Sequence, residues 1–185
     1  MDAPTFSIRA IDESNIEAFF EYLQAHVGEN GRGDTPLFLP MSRTTEWVAS
    51  EKLPSFRTGM HLPIGEKGWR RGWVALGDER RILGHVDLRA HENPCAAHRA
   101  LLGMGVERDV RRRGVGRALL EHVEAQALAL GLEWIDLEHL GTNLAAGRLY
   151  QRAGYLHTGR SEDMFRIDGE SVGNVLMSKR LRPAG

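Results

Sequence analysis

The segment Leu101–Leu130 constrains the fold more than any other part of the chain. Its first residues, up to Val106, form an apolar run of strand length. From Val115 onward, apolar residues recur every four positions up to Gly131, which predicts an amphipathic helix that ends there. A further apolar run follows at Trp134–Leu140. A strand, a helix and a second strand in direct succession predict a crossover unit of an α/β domain.

The remaining elements are read from periodicity and from the glycine and proline residues between them. Together they predict a mixed α/β domain with a core over about residues 5–181, and residues 54–68 have no clear assignment. Strands are predicted at residues 5–10, 71–76, 82–90, 155–167 and 172–181, with Asp168-Gly169 as the last turn, and helices at 16–27, 44–53 and 143–153.

Charge and cysteine content exclude several classes of protein. With 24 basic and 25 acidic residues, the chain has no overall field that would attract nucleic acid or an anionic membrane. No apolar run approaches the roughly 18 residues of a membrane span, and no apolar signal stretch opens the chain. The single cysteine, Cys95, cannot form an internal disulfide, which suits a reducing compartment. We therefore expect a cytoplasmic protein. The scattered histidines predict no metal site.

The loop between the strand and the long helix is basic and rich in glycine. Five arginines lie between residues 108 and 117, and Gly114-Val115-Gly116 opens the helix. A helix N-terminus presents free amides and a positive dipole end, and glycine lets the backbone approach a ligand closely. This combination suits a pyrophosphate, although a basic turn without a ligand has the same composition. The phosphate-loop motif GxxxxGK[ST] is absent from the sequence, and Gly103-x-Gly105 lies inside a strand without a third glycine.

Two motifs in the right order resemble one known family. Arg111-x-x-Gly114-x-Gly116 resembles the acetyl-CoA-binding motif of the GCN5-related N-acetyltransferases (GNAT). The second block is similar to the family pattern LE…N…A…LY…GF and consists of Leu137-Glu138, Asn143, Ala146, Leu149-Tyr150 and Gly154-Tyr155. The resemblance extends over about residues 5–181 and is sharp over 101–155.

The resemblance implies a single N-acetyltransferase domain over residues 1–185, with a mixed, mostly antiparallel sheet whose two central parallel strands splay apart. Acetyl-CoA would be the co-substrate, held in that wedge without a metal. The backbone at Met104, Gly105 and Val106 would pair with the pantetheine arm, at a bulge that Gly103 and Gly105 permit. The other residues expected to contact acetyl-CoA are Arg111, Arg112, Arg113, Gly114, Val115, Gly116, Arg117, Asn143 and Tyr150.

The implied reaction is direct transfer of the acetyl group to a primary amine of a small molecule or peptide, in a ternary complex. Fewer than about one in a thousand lysine amines is neutral at pH 7, so a base is useful. By resemblance, Tyr150 would be the acid that protonates the departing thiolate. Glu138 would be the base, because its spacing to Tyr150 matches the family's ribosomal-protein acetyltransferases. His139, the pair His85 and Asp87, or water are alternative bases.

The sequence allows several alternative functions and residue roles. The same fold could serve as a CoA-binding sensor without transfer activity, or as an O-acyltransferase. His85 and Asp87 share a strand face, which could line the acceptor site or form the outer face of a half-buried strand. Residues 28–43 enclose Leu37-Phe38-Leu39 and could form an acceptor wall or a loop packed on the core. The terminal strand pair could mediate a homodimer.

Overall fold

The computed structural model describes residues 4–181, and within them seven strands form one mixed sheet in the order β1-β2-β3-β4-β5-β7-β6. Neighbouring strands are antiparallel except β4 and β5, which are parallel. The strands are β1 (Ser7–Ala10), β2 (Arg70–Leu76), β3 (Ile82–Arg89), β4 (Arg99–Val106), β5 (Trp134–Leu140), β6 (Leu156–Ile167) and β7 (Glu170–Arg180). The helices are α1 (Ile16–Gly28), α2 (Leu53–His61), α3 (Val115–Ala129) and α4 (Leu144–Arg152).

The two parallel strands separate after a short paired stretch. Residues Arg99–Leu101 pair with Trp134–Asp136, and beyond that β4 pairs only with β3 and β5 only with β7. The Glu107 amide donates to the Leu83 carbonyl (3.0 Å). Since bonding alternates along an antiparallel pair, the amides and carbonyls of residues 102, 104 and 106 point away from β3, into the space between β4 and β5. This space is called the β4–β5 gap below. It confirms the predicted fold with splayed parallel strands.

Two helical layers cover the sheet. On one face, here the α1 face, α1 and α2 bury aromatic residues such as Phe19 and Phe56 against β2. On the other, the α3 face, α3 and α4 pack over the main core, which contains Leu119 and Tyr150. In the described part of the chain, no helix has the length and apolar character needed to span a membrane.

The helix predicted at residues 44–53 is wrong. The segment is non-helical up to Val48, followed by a single 3₁₀ turn and then by α2, which begins at Leu53. The Gln24 side chain of α1 holds this segment extended: its Nε2 donates to the Trp47 carbonyl (2.6 Å), and its Oε1 accepts from the Ala49 amide (2.7 Å). The helix instead starts at Leu53, with Pro54 in its first turn. Proline is favourable there, because the amides of the first turn have no acceptor within the helix and its missing N–H costs no hydrogen bond.

The bulge expected in β4 is also wrong, because β4 pairs with β3 in unbroken register from Leu101 to Val106. The two glycines serve a different purpose. A Cβ on Gly103 would lie 2.6 Å from Oδ1 of Asp87. A Cβ on Gly105 would overlap Nε2 of His26 and lie 2.7 Å from Cε1 of His85. Glycine at these positions therefore makes room for side chains on the α1 face.

Candidate active site

The N-terminus of α3 leaves backbone donors available at the end of the gap. The helix is capped by Gly114 in a left-handed conformation (φ 91°), with no side-chain cap. Its first internal hydrogen bond runs from the Ala118 amide to the Gly114 carbonyl (3.0 Å). The amides of residues 115–117 therefore have no acceptor within the helix, and the positive end of the helix dipole lies there. The arrangement fits a phosphate group.

Gly116 lies where α3, α4 and β4 converge. A Cβ at this position would be 3.1 Å from Cδ2 of Leu149 and 3.5 Å from Cγ2 of Val106. The preceding Val115 is buried in the core, so that residue can offer a ligand only its backbone. Arg111 ties the loop to the strand, because its Nε donates to the Val106 carbonyl (3.0 Å). The amides of α3 and the gap thus form one continuous surface.

Three of the four predicted cofactor arginines lie on this loop and differ in exposure, and the fourth lies on α3. Arg112 is exposed and has a positive φ of 62°, whereas Arg111 and Arg113 are half-buried. Arg117 lies along the surface of α3, where its Nε donates to Glu121 (2.7 Å). Asn143, from the second motif, caps α4: its Oδ1 accepts from the Ala146 amide (3.3 Å).

Tyr150 is buried on the α3 face. Its ring packs against His139 and Tyr155, with centroids 6.2 Å and 5.9 Å away. Burial raises the pKa of the Tyr150 hydroxyl, so the phenol keeps its proton at neutral pH. Within residues 4–181, no hydrogen bond engages this hydroxyl. Tyr150 is therefore a protonated donor without a competing partner there.

Glu138 lies on the opposite face. Its β5 neighbours Ile135 and Leu137 join the core beneath α3, so Asp136 and Glu138 point to the α1 face. The Glu138 side chain is exposed at residue level, and its Oε2 accepts from Nδ2 of Asn174 (2.7 Å). Asp136 is engaged in structural contacts instead, since its carboxylate binds Arg99, Ser178 and His91.

The alternative bases occupy less open positions. His139 points to the α3 face, where its Nδ1 lies 2.9 Å from the Leu140 carbonyl oxygen. His85 is buried beneath α1, with its Nδ1 3.1 Å from the Tyr22 hydroxyl. Burial, aided by the charges of His26 and Arg70, lowers the pKa of His85 to about 3. Asp87 is also buried, 3.2 Å from Nε of Arg70. The interpretation of His85 and Asp87 as an outer strand face is therefore wrong.

The structure adds a pair that the sequence analysis did not identify. His26, in the last turn of α1, is 4% exposed, and its Nδ1 lies 3.2 Å from Oε1 of Glu107 at the end of β4. Tyr22 stacks on the imidazole, and the Phe38 ring lies 5.1 Å away. The paired residues are 81 positions apart, so no local pattern could have revealed them.

Residues 28–43, called the strap below, form an ordered segment beside this pair. Buried Asn30 organises it: its Oδ1 accepts from the amides of Phe38 (2.8 Å) and Leu39 (2.9 Å). Leu37 packs with residues of β5, β6 and β7. Nη1 of Arg43 binds Asp168 in the β6–β7 turn (2.9 Å). The strap is thus packed on the core and also lies next to His26.

Side chains suited to metal binding do not cluster within residues 4–181. In the described ranges, no group of three or more His, Cys, Asp or Glu residues could hold a metal ion.

Comparison with solved structures supports the fold along almost the whole chain. A GCN5-related N-acetyltransferase from Kribbella flavida is 22% identical, with a TM-score of 0.75 over 95% of this chain and 98% of its own. The Salmonella typhimurium protein yncA, solved with its cofactor acetyl-CoA, is 16% identical, with a TM-score of 0.74 over 97% and 96%. The Escherichia coli ribosomal-protein-S18-alanine N-acetyltransferase is 16% identical, with a TM-score of 0.68 over 98% and 97%.

A search of curated proteins gives no significant match. The model of the Acetyltransferase (GNAT) family matches residues 41–155, which is more than half of the chain and includes both motifs. The matched stretch contains the start of α3 and both strands that border the β4–β5 gap. The chain therefore belongs to the GNAT acetyltransferase family.

Proposed function

We propose that the protein transfers the acetyl group of acetyl-CoA to a primary amine, by direct attack in a ternary complex. The β4–β5 gap carries this proposal, because its open backbone leads directly to the free amides of α3. A ligand with an extended, amide-containing arm and a pyrophosphate matches both features. The arm matches the open backbone of the gap, and the pyrophosphate matches the free amides of α3. The S. typhimurium relative solved with acetyl-CoA has the same fold and supports this choice of donor.

The residues present fit acetyl-CoA along its length. The backbone from Met104 to Val106 would pair with the pantetheine arm as an added strand. Met104 would use its gap-facing amide and carbonyl, and Val106 its amide, since the Val106 carbonyl accepts from Arg111. Gly105 would contribute by its lack of a side chain. The amides of residues 114–117 would bind the pyrophosphate, and the arginines would add charge. The Asn143 side chain lies at the start of α4, from where its Nδ2 could donate to the arm.

Acid and base would act from opposite faces. Tyr150, which burial keeps protonated, would donate to the sulfur as the carbon–sulfur bond breaks. Glu138 would receive a proton from the amine, which would enter from the α1 face. Its exposed carboxylate, held by Asn174, can also attract a cationic acceptor. We expect no metal in this reaction.

The acceptor would be a primary amine of a small molecule or a peptide, with the strap forming one wall of its site. The E. coli relative is named as an acetyltransferase of a ribosomal-protein alanine, which is a peptide amine. We also propose a cytoplasmic location, because the one cysteine, Cys95, is free and exposed.

The test is a calorimetric titration with acetyl-CoA, followed by a panel of amines with release of free thiol as the readout. Micromolar binding with thiol release for one class of amine supports the proposal. Binding without release for any amine or hydroxyl favours the sensor alternative, and release with hydroxyl acceptors alone favours O-acyl transfer. No binding up to millimolar acetyl-CoA, with folded protein, overturns the assignment of the donor.

A further inference from the structure

We propose that His26, oriented by Glu107, is a second proton acceptor for the amine, on the β4 side of the gap. This inference rests on the proposed function, and it assigns a role to the buried pair beneath the strap. Three observations carry it: the hydrogen bond that orients the imidazole, the absence of a side chain at Gly105, and the number of protons the reaction must remove.

The hydrogen bond to Glu107 orients the imidazole. Nδ1 of His26 lies 3.2 Å from the carboxylate, so a neutral ring places its proton on Nδ1 and its lone pair on Nε2. Within the described residues, no hydrogen bond engages Nε2. A carboxylate that orients one imidazole nitrogen, with the other nitrogen unpaired, is an arrangement suited to receiving a proton.

Gly105 lets that nitrogen lie against β4, one of the two strands that border the gap. A Cβ at Gly105 would overlap Nε2 of His26, so the imidazole lies directly on the backbone of β4. Residues 104 and 106, on either side, direct their amides and carbonyls into the gap. Any side chain at position 105 would push His26 away from the strand. The glycine therefore sets how closely His26 approaches the strand that would hold the pantetheine arm.

The reaction removes two protons from the acceptor nitrogen. The acceptor nitrogen enters as an ammonium ion with three protons and leaves as an amide with one. Its lone pair forms the carbon–nitrogen bond, and the carbon–sulfur bond breaks with its electron pair moving to sulfur. Sulfur takes one proton from Tyr150, which is then reprotonated, so one net proton leaves for solvent. Glu138 on β5 accepts one of the two protons that nitrogen loses, and His26, which extends from α1 onto β4, accepts the other.

Charged and titratable groups from several elements surround the His26 ring. Glu107 is the carboxylate in contact with it, and Glu29, the residue after α1, acts on the neighbouring Tyr22. The rings that face it are Tyr22 and His85. Both are neutral at pH 7, since burial raises the pKa of Tyr22 and lowers that of His85. Arg111 is a cation that acts on Tyr22, and its Nε is directed to the Val106 carbonyl.

The first test compares His26→Gln with Glu107→Gln. We expect H26Q to lower kcat about 100-fold and to flatten the rise of kcat/KM with pH, without changing the affinity for acetyl-CoA. E107Q, which acts through His26, should give a smaller loss. His61→Gln is the matched control, because His61 also pairs with a glutamate, Glu13 (3.2 Å), but on the exposed surface of α2. It should leave all three quantities unchanged.

The second test does not depend on turnover. In ¹⁵N-histidine NMR spectra of the free protein, with His26 assigned through H26Q, the ring should show a protonated Nδ1 and an unprotonated Nε2. The opposite tautomer overturns the inference, as does an H26Q variant with wild-type rate and pH profile. Wild-type protein that binds acetyl-CoA but acetylates no amine overturns the proposed function itself, together with this inference.

Discussion

Glu138 and Tyr150 lie on opposite faces of the central sheet, although Glu138 is near the end of β5 and Tyr150 is on α4, the next helix in the sequence. Glu138 points to the α1 face beside Asn174, whereas Tyr150, on the buried side of α4, packs against His139. The relationship follows from alternation along β5 and from α4 folding back over the α3 face. In the proposed reaction, the amine would therefore enter from the α1 face, and the thiolate would be protonated from the α3 face.

Tyr150→Phe should lower kcat about 100-fold while the affinity for acetyl-CoA stays within about twofold, because only the proton donor is removed. Steady-state kinetics and calorimetry measure the two quantities. Tyr155→Phe is the matched control, since Tyr155 is equally buried and packs on Tyr150. Equal rates for both variants and wild type would mean that solvent protonates the thiolate.

Glu138→Gln should lower kcat/KM about 10- to 100-fold for an amine with a high pKa, and less for one that is largely neutral at the assay pH. The reason is that only the charged amine must lose a proton before attack. Parallel assays with two amines of different pKa check this. A loss that is the same for both amines would assign Glu138 to binding rather than to proton removal.

Gly116→Asp should abolish detectable binding of acetyl-CoA, because it adds a negative charge where the free amides of α3 would meet the pyrophosphate. Gly116→Ala adds bulk without charge, so it shows how much of the loss in G116D comes from the charge. Its Cβ would lie 3.1 Å from the flexible end of Leu149, so we expect a folded protein with an affinity reduced less than about tenfold. Calorimetry on both variants makes the comparison, and retained binding in G116D would remove the cofactor site from this helix.

Asn30→Ala should raise KM for the amine without changing the affinity for acetyl-CoA. The Asn30 side chain makes hydrogen bonds to the amides of Phe38 and Leu39, and its loss leaves these groups without partners. We expect a loss of about 1–3 kcal/mol in the free energy of unfolding. Chemical denaturation and acceptor titrations measure both effects. Asn93→Ala is the control, because Asn93 makes a similar bond to Cys95 in an exposed turn.

His85 should make stability depend on pH. Its pKa falls from 6.5 to about 3 on folding, so the unfolded chain binds a proton that the folded protein excludes. Above about pH 6.5, His85 therefore does not lower the free energy of unfolding. As the pH falls from 6.5 toward 3, the free energy of unfolding decreases, because only the unfolded chain binds the proton. We expect the Tm of wild type to fall more steeply between pH 6.5 and 4 than that of His85→Gln. Parallel slopes would mean that His85 is protonated in the folded protein.

The sequence by itself determined the elements whose patterns are local. The period of α3, the strand before it and the hairpin across Asp168-Gly169 all appear as predicted, because each depends on residues close in the chain. The glycines of the cofactor motif could be located for the same reason. The segment 44–53 was mispredicted because a single distant side chain, Gln24, decided its conformation.

Only the tertiary structure decided how distant residues meet. It placed His26 beside Glu107. It also showed that Gly105 makes room for the imidazoles of His26 and His85, and that β4 has no bulge there. It also attached the strap to the β6–β7 turn through Arg43 and Asp168. These contacts depend on the packing of α1 and the strap against the sheet, and periodicity carries no information about which residues of two distant elements face each other.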